Sequence, residues 1–413
     1  MRGSALLLLS TLAFSACDRP AQNQAEKHVS GSSPPDVNAL RSLPYAGHAE
    51  EVAEGESGVV QADEASMSPG LTLVSIATAS TAQLVDEKGA LVHEWKHPGH
   101  QWSHVTLLPD GDIVTVGADG PAPPGGGVAD ERRYALRMSW SGEVRWKTHI
   151  PARFDIGPAP GGNLVVLTFS QQHDSEIHAE IDVRDDRIGL LGPDGETLDS
   201  LSILQAIRAN SSVFPLLTVK PAKIDGRVVV DLFHANSVEW IDRPALAAKS
   251  PLYSPDNVLV CFRHQNRVAI FNWKEQRVVW AWGDRQLDGP HDAQVLDDGS
   301  IVVFDNGLVR GWSRIVELDP LSGEIAWEYQ RPRKTDFYSR SRGGVQRLSN
   351  GNYLITNSDH GEVFEVTRGG RPVWQYFTPL TNSRGQRYTI VRAVRYSRAY
   401  VEKAQATNAG GGE

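Results

Sequence analysis

Two cysteines in 413 residues, Cys17 and Cys261, exclude a disulfide framework for a mature domain whose first cysteine carries lipid, so the fold must hold by core burial. Basic residues are also in deficit: 41 Lys and Arg stand against 50 Asp and Glu, a net charge of -9. Nucleic acid and anionic lipid surfaces demand a basic face, and this balance argues against both as partners. No Cys/His spacing for zinc, no glycine-rich phosphate loop and no Gly-x-Ser-x-Gly nucleophile elbow occurs. An adjacent cysteine pair and a calcium-type carboxylate cluster, which a quinone-dependent dehydrogenase would lead one to look for, are missing too. The residues therefore call for no cofactor and no metal.

Long hydrophobic runs are confined to the N-terminus. MRGSALLLLSTLAFSAC has a basic start at Arg2 and an apolar run from Ala5 to Ala16, too short to span a bilayer and closed by small residues, as in a secretory signal. Phe14-Ser15-Ala16-Cys17 resembles a bacterial lipobox, which predicts lipidation at Cys17 and a membrane anchor on the periplasmic face. Asp18 favours inner-membrane retention under the enterobacterial sorting rule, while other bacteria sort differently, so inner and outer membrane both stay open. Residues 18–70 are polar, small and acidic without sustained period and read as a flexible tether; residues 401–413 read as a disordered tail.

Residues 71–400 are written in repeats. The clearest copies, 291–329 and 344–376, each hold two successive hairpins, an apolar strand pair around an Asp-Gly or Asn-Gly turn and a second pair closing on tryptophan. Further copies fall at 104–147, 154–201 and 234–283, and half a unit at 72–95. Closing tryptophans stand at Trp95, Trp146, Trp280, Trp327 and Trp374, with steps of 51, 47 and 47 between adjacent ones. Four short antiparallel strands cannot bury both faces alone, so the copies pack radially. The expected fold is all-β, a six-bladed β-propeller of four-stranded antiparallel blades. The tryptophans read as packing between blades, and the half unit at 72–95 suits closure of the ring by the other terminus.

In a propeller the first strand of each blade lines the channel, and these strands run in one direction. Repeat alignment therefore becomes a spatial expectation. Aligned on turn glycines, His291 corresponds to Gly343 and Phe154, and by motif to His234, while His104 stands opposite Asp292. This places His104, His234 and His291 at one mouth of the channel beside Asn236, Asp155 and Asp292. Strand alternation turns Asp292 away from its neighbour His291. Arg263 follows an apolar run, where a cation needs a partner or a function. His264, Gln265 and Asn266 read as turn residues, as does Asp305-Asn306-Gly307. The Gly/Pro-rich 117–131 reads as a loop, a candidate rim over the channel.

The runs His234-Ala235-Asn236-Ser237-Val238, Cys261-Phe262-Arg263, His291-Asp292-Ala293-Gln294, Phe304-Asp305-Asn306-Gly307 and Val345-Gln346-Arg347-Leu348 resemble, in order, the bacterial arylsulfotransferase family. The resemblance implies an exported six-bladed propeller that moves a sulfuryl group from a phenolic sulfate donor to a phenol acceptor through a sulfated histidine, without a nucleotide donor. Carried over by motif, His291 is the nucleophile, and His234, Asn236 and Arg263 surround the sulfuryl oxygens. Relatives often show His-His-Asp where this chain has Arg153-Phe154-Asp155, and His104 is the candidate to replace that histidine. The competing reading is a non-catalytic, lipid-anchored propeller that binds a small anionic ligand or a protein partner.

Overall fold

Three first hairpins turn on one five-residue pattern: Leu108-Pro109-Asp110-Gly111-Asp112, Leu296-Asp297-Asp298-Gly299-Ser300 and Leu348-Ser349-Asn350-Gly351-Asn352. In each, the leucine amide donates to the carbonyl of the fifth residue, and the glycine amide donates back to the leucine carbonyl. The Asp or Asn side chain accepts from the fifth amide at 3.0–3.1 Å. Glycine is required because its φ is 85°, 101° and 85°.

These hairpins belong to a six-bladed β-propeller, seen in a computed structural model that describes residues 47–49, 55–97, 101–120 and 128–410. Blade 2 comprises Val105–Leu107, Ile113–Ala118, Arg133–Met138 and Val144–His149. Blade 3 comprises Ala152–Pro158, Leu164–Gln172, Val183–Leu191 and Thr197–Ser202, with an added hairpin, Ala222–Ile224 and Arg227–Asp231, joined by a short parallel pairing. Blade 4 is Ala235–Trp240 through Arg277–Trp282, blade 5 His291–Val295 through Ile325–Tyr329, and blade 6 Gly344–Arg347 through Pro372–Phe377. Blade 1 is composite: Leu71–Ile76, Thr81–Val85 and Leu91–Lys96 supply three strands, and Arg392–Tyr396 supplies the innermost one. The half unit thus closes the ring, as its position in the repeat implied.

The second strands of blades 2, 4, 5 and 6 are buried throughout, whereas the fourth strands are more exposed, that of blade 5 burying only Tyr329. The core lies between blades: Phe304, Ile315 and Tyr329 of blade 5 pack against Tyr353, Ile355 and Phe364 of blade 6. Each closing tryptophan also bonds the next blade. The indole N–H groups of Trp95, Trp146, Trp280, Trp327 and Trp374 donate to the carbonyls of Ser139, Pro193, Pro320, Arg368 and Glu87, at 2.8–3.1 Å. The acceptors all sit around the third-to-fourth-strand turn of the following blade. Inter-blade packing was legible in the sequence; this shared hydrogen bond was not.

Two boundaries need correction. Gly58–Ala62, inside the expected tether, forms a strand on the outer edge of blade 6, paired to Pro372–Phe377. Its attachment runs through backbone hydrogen bonds, which composition does not reveal. The expected tail is a helix, Arg398–Gly410, held by buried Val401 and Ala404 and by Tyr400 Oη donating to the Leu107 carbonyl at 2.9 Å. The signal segment with Cys17, residues 18–46 and 50–54 of the tether, 121–127 of the 117–131 loop and 411–413 lie outside the described residues.

Trp374 is fully buried. Trp374→Phe, which removes the N–H bond and part of the ring, should cost about 1–3 kcal/mol, and Trp374→Ala about 3–5 kcal/mol. Denaturant unfolding of both variants measures this, and a Trp374→Phe variant as stable as the wild type would show that the bond to the next blade contributes nothing.

Candidate active site

At the start of the inner strands the backbone leaves regular β geometry. Phe154, His234, Asp292 and Arg342 have φ of 60°, 49°, 48° and 55°, a left-handed conformation costly for side chains of this size. Register breaks accompany them between Ala235 and Ser237 and between His291 and Gln294. The bulge undoes simple alternation, so His291 and Asp292 both work near the axis. Asp292 accepts from the Val345 amide at 2.8 Å and lies 3.3 Å from Arg392.

All six blades contribute to one cleft of about 320 Å³, its open mouth included. Ser103 and His104 come from blade 2, Phe154 from blade 3, Asn236 from blade 4, His291 from blade 5, Arg342 and Gly343 from blade 6, and Arg392, with Val391 just before it, from the strand closing blade 1. A Cβ on Gly343 would lie 2.6 Å from the Phe304 ring, so that position admits only glycine.

His291 is held in one tautomer. The Asn306 side-chain amide donates both hydrogens, to the carbonyls of Ser339 at 2.8 Å and Arg342 at 2.6 Å, which leaves its Oδ1 to accept from His291 Nδ1–H at 2.7 Å. Nε2 therefore carries the lone pair. Burial and then the Arg263 charge push the His291 pKa down to about 3, so the ring is neutral across the physiological range. Asn306 was read from sequence as a turn residue; the structure makes it the residue that orients the imidazole.

The structure brings together three of the expected site residues, His104, Asn236 and His291. Register places Asn236 where His234 was aligned with His291. His234 sits two residues earlier, its ring 4.9 Å from Phe154 and 4.6 Å from His264. It does not line the cleft; its Nδ1 donates to Asp231 at 2.5 Å. Arg263 is buried outside the lining but near enough to be the leading charge acting on His291. Arg153 is neutralised by Asp231 and Asp186 at 3.4 and 3.6 Å and covers the Phe154 ring at 4.5 Å. Where relatives often have histidine, the cleft here has a phenyl wall.

Sequence reasoning missed Ser103, Arg342 and Arg392. Arg342 directly precedes Gly343, whose alignment with His291 was the available signal. Arg392 stands in the strand detached from its own repeat, so no alignment could find it. Arg392 pairs with Asp155 and Asp292 at 3.6 and 3.3 Å. Burial and the Arg392 charge hold the His104 pKa well below the usual histidine value, so His104 is neutral.

Asp231, His234 and His264 bring possible metal-ligating atoms within 4.8 Å of one another. The Nδ1 atoms of both histidines are engaged by Asp231, through its carboxylate and its carbonyl, and the Arg153 guanidinium stands 3.4 Å from the same carboxylate. A guanidinium at that distance opposes a bound cation, and the group fits a hydrogen-bonded cluster better than a metal centre.

The architecture defines a six-bladed propeller with one polar cleft on its axis, lined by neutral histidines, an amide and arginines. Residues 155–378, more than half the chain, match the arylsulfotransferase (ASST) family, and the protein belongs to that family. No curated protein matches it. Among solved structures it is similar to a protein of unknown function from Bacteroides caccae, at 15% identity over 79% of this chain and 98% of that one, TM-score 0.49. It is also similar to a catalytically inactive virginiamycin B lyase from Staphylococcus aureus with quinupristin, at 12% identity over 80% and 87%, TM-score 0.45.

Because His291 binds its proton less readily in the folded chain than in the unfolded one, its neutral form stabilises the fold above the unfolded pKa near 6.5, and that stability is lost as pH falls toward 3. His291→Gln should gain on the wild type by up to ~1.4 kcal/mol per pH unit through this window. Unfolding free energies of the two proteins at pH 7, 6, 5 and 4 test this; a constant difference would place the His291 pKa near its ordinary value.

Proposed function

We propose that the protein is an aryl sulfotransferase that works through a sulfated His291. The observation that carries this reading is the Asn306 hydrogen bond, which leaves Nε2 of a neutral imidazole as the nucleophilic nitrogen of the cleft. Nε2 attacks the sulfur of a phenolic sulfate, the S–Nε2 bond forms, and the S–O bond breaks to release the phenolate, which takes a proton from water. Nδ1–H stays bonded to Asn306, which stabilises the positive charge of the sulfated ring. Arg342 lines the same cleft, and Arg263 lies close to His291; these cations stabilise the sulfuryl oxygens and the departing phenolate. The phenol acceptor reverses the sequence, its oxygen bonding sulfur as the S–Nε2 bond breaks and its proton leaves. Both steps use side chains alone and need no nucleotide sulfate donor.

The phenyl wall of Phe154 favours one other reading, a propeller that holds a small anion without chemistry. A brief pulse of p-nitrophenyl sulfate followed by intact-mass analysis separates the two. The transferase gains the mass of one sulfuryl group, lost in His291→Ala along with nitrophenol release. Absence of both the adduct and nitrophenol release, with an anion-dependent thermal shift abolished by Arg263→Ala, would establish the binder instead.

The N-terminal pattern supports a lipid anchor at Cys17 and action on the periplasmic face of a bacterial membrane. Cys17→Ser should move the protein from the membrane fraction to the soluble one, and an unchanged distribution would exclude the anchor.

A further inference from the structure

Two buried polar atoms of residues lining the cleft have no hydrogen-bond partner, Asn236 Oδ1 and His104 Nδ1. Such atoms are costly to leave bare, and both belong to side chains more than nine-tenths buried. The Asn236 amide cannot be turned the other way. Its Nδ2 donates to the Pro290 carbonyl at 2.8 Å, and the flipped amide would set two acceptors against each other. Oδ1 therefore is the acceptor that this cleft-lining side chain keeps unpaired, and it accepts hydrogen bonds only. A sulfuryl group at neutral pH offers oxygens and no hydrogen, so Asn236 repels it. The expectation that Asn236 surrounds the sulfuryl oxygens is thereby reversed: this residue asks for a ligand that brings a hydrogen.

The two atoms together ask for two hydrogens when His104 is in its Nε2–H tautomer. A phenol carries one on its oxygen; water carries two. We infer that Asn236 and His104 form a water subsite, and that the protein discharges sulfated His291 to water, releasing inorganic sulfate from aryl sulfates. The inference rests on the sulfated-histidine reading above.

The step balances without another reactant. The water oxygen forms a bond to sulfur as the S–Nε2 bond breaks, returning its electron pair to His291. One water hydrogen passes to His104 Nδ1 and from there to solvent. The other is held by Asn236 Oδ1, leaves with the product as hydrogen sulfate and is then lost to solvent. Burial and Arg392 make His104 a weak base. A weak base suffices, because water becomes strongly acidic as its oxygen bonds to sulfur. His104 touches the reacting water and is catalytic in this step; Asn236 holds it in place.

The wild-type protein with p-nitrophenyl sulfate and no phenol acceptor provides the test. Continuous nitrophenol release with an equal amount of inorganic sulfate is expected. One equivalent of nitrophenol, followed by stable sulfated protein, would overturn the water subsite while leaving the sulfated histidine intact. Neither nitrophenol nor adduct would sink both readings. His104→Gln should slow steady release by about 10²–10⁴-fold, the usual contribution of a proton-transfer group, while the first equivalent still appears and sulfated protein accumulates. Asn236→Leu, which keeps the size and removes the acceptor, should act in the same direction. Thermal melts identify a variant that fails to fold, and a folded His104→Gln that turns over at the wild-type rate would overturn the role of His104.

Discussion

The axis of this propeller depends on Arg392 reaching Asp155 and Asp292. The three groups come from the closing strand, blade 3 and blade 5; both carboxylates are buried, and the Arg392 side chain is 12% exposed. An unpaired charge in such a place costs several kcal/mol, so each group is tolerable only while the others are present. The carboxylates also accept backbone amides from the following blades, Asp155 from Val238 and Asp292 from Val345. Closing the ring therefore sets the spacing of the inner strands and leaves the cleft between them. The tryptophan N–H bonds do the complementary work further out, tying each sheet to the next turn without entering the site.

Around that axis the cleft has two chemical sides. Arg342 and the nearby Arg263 make one side suited to oxygens carrying negative charge. Asn236 Oδ1 makes the other suited to hydrogens. His291 stands between them with its tautomer chosen by an amide that has spent both of its own hydrogens. A neutral partner matters here. An aspartate in place of Asn306 would raise the imidazole pKa and favour the protonated, non-nucleophilic ring.

Much of this was legible in the sequence because it is periodic. The Asp-Gly and Asn-Gly turns, the apolar second strands and the tryptophan spacing recur in most units, and recurrence separates architecture from site. His291 could be singled out as the residue that architecture did not explain, and His104 and Asn236 could be placed near it. What escaped was whatever breaks the period. Non-glycine residues at positive φ shift the register at the start of the inner strands, which moved the equivalent of His291 in blade 4 from His234 to Asn236 and kept Asp292 near the axis. Gly58–Ala62 escaped for another reason, since an edge strand that pairs through its backbone needs no apolar pattern.

The sequence by itself determined the number of blades and their strand order, because these follow from local turn chemistry and hydrophobic alternation repeated along the chain, while which strand completes the ring was left to the structure. Only the tertiary structure decided which atoms face the cleft. The lone pair on His291 Nε2, the orientation of the Asn236 amide and the neutrality of His104 are each set by partners distant in sequence or by burial. Such partners meet only when the ring closes, and a side chain's type does not say which of its atoms will be left to do chemistry.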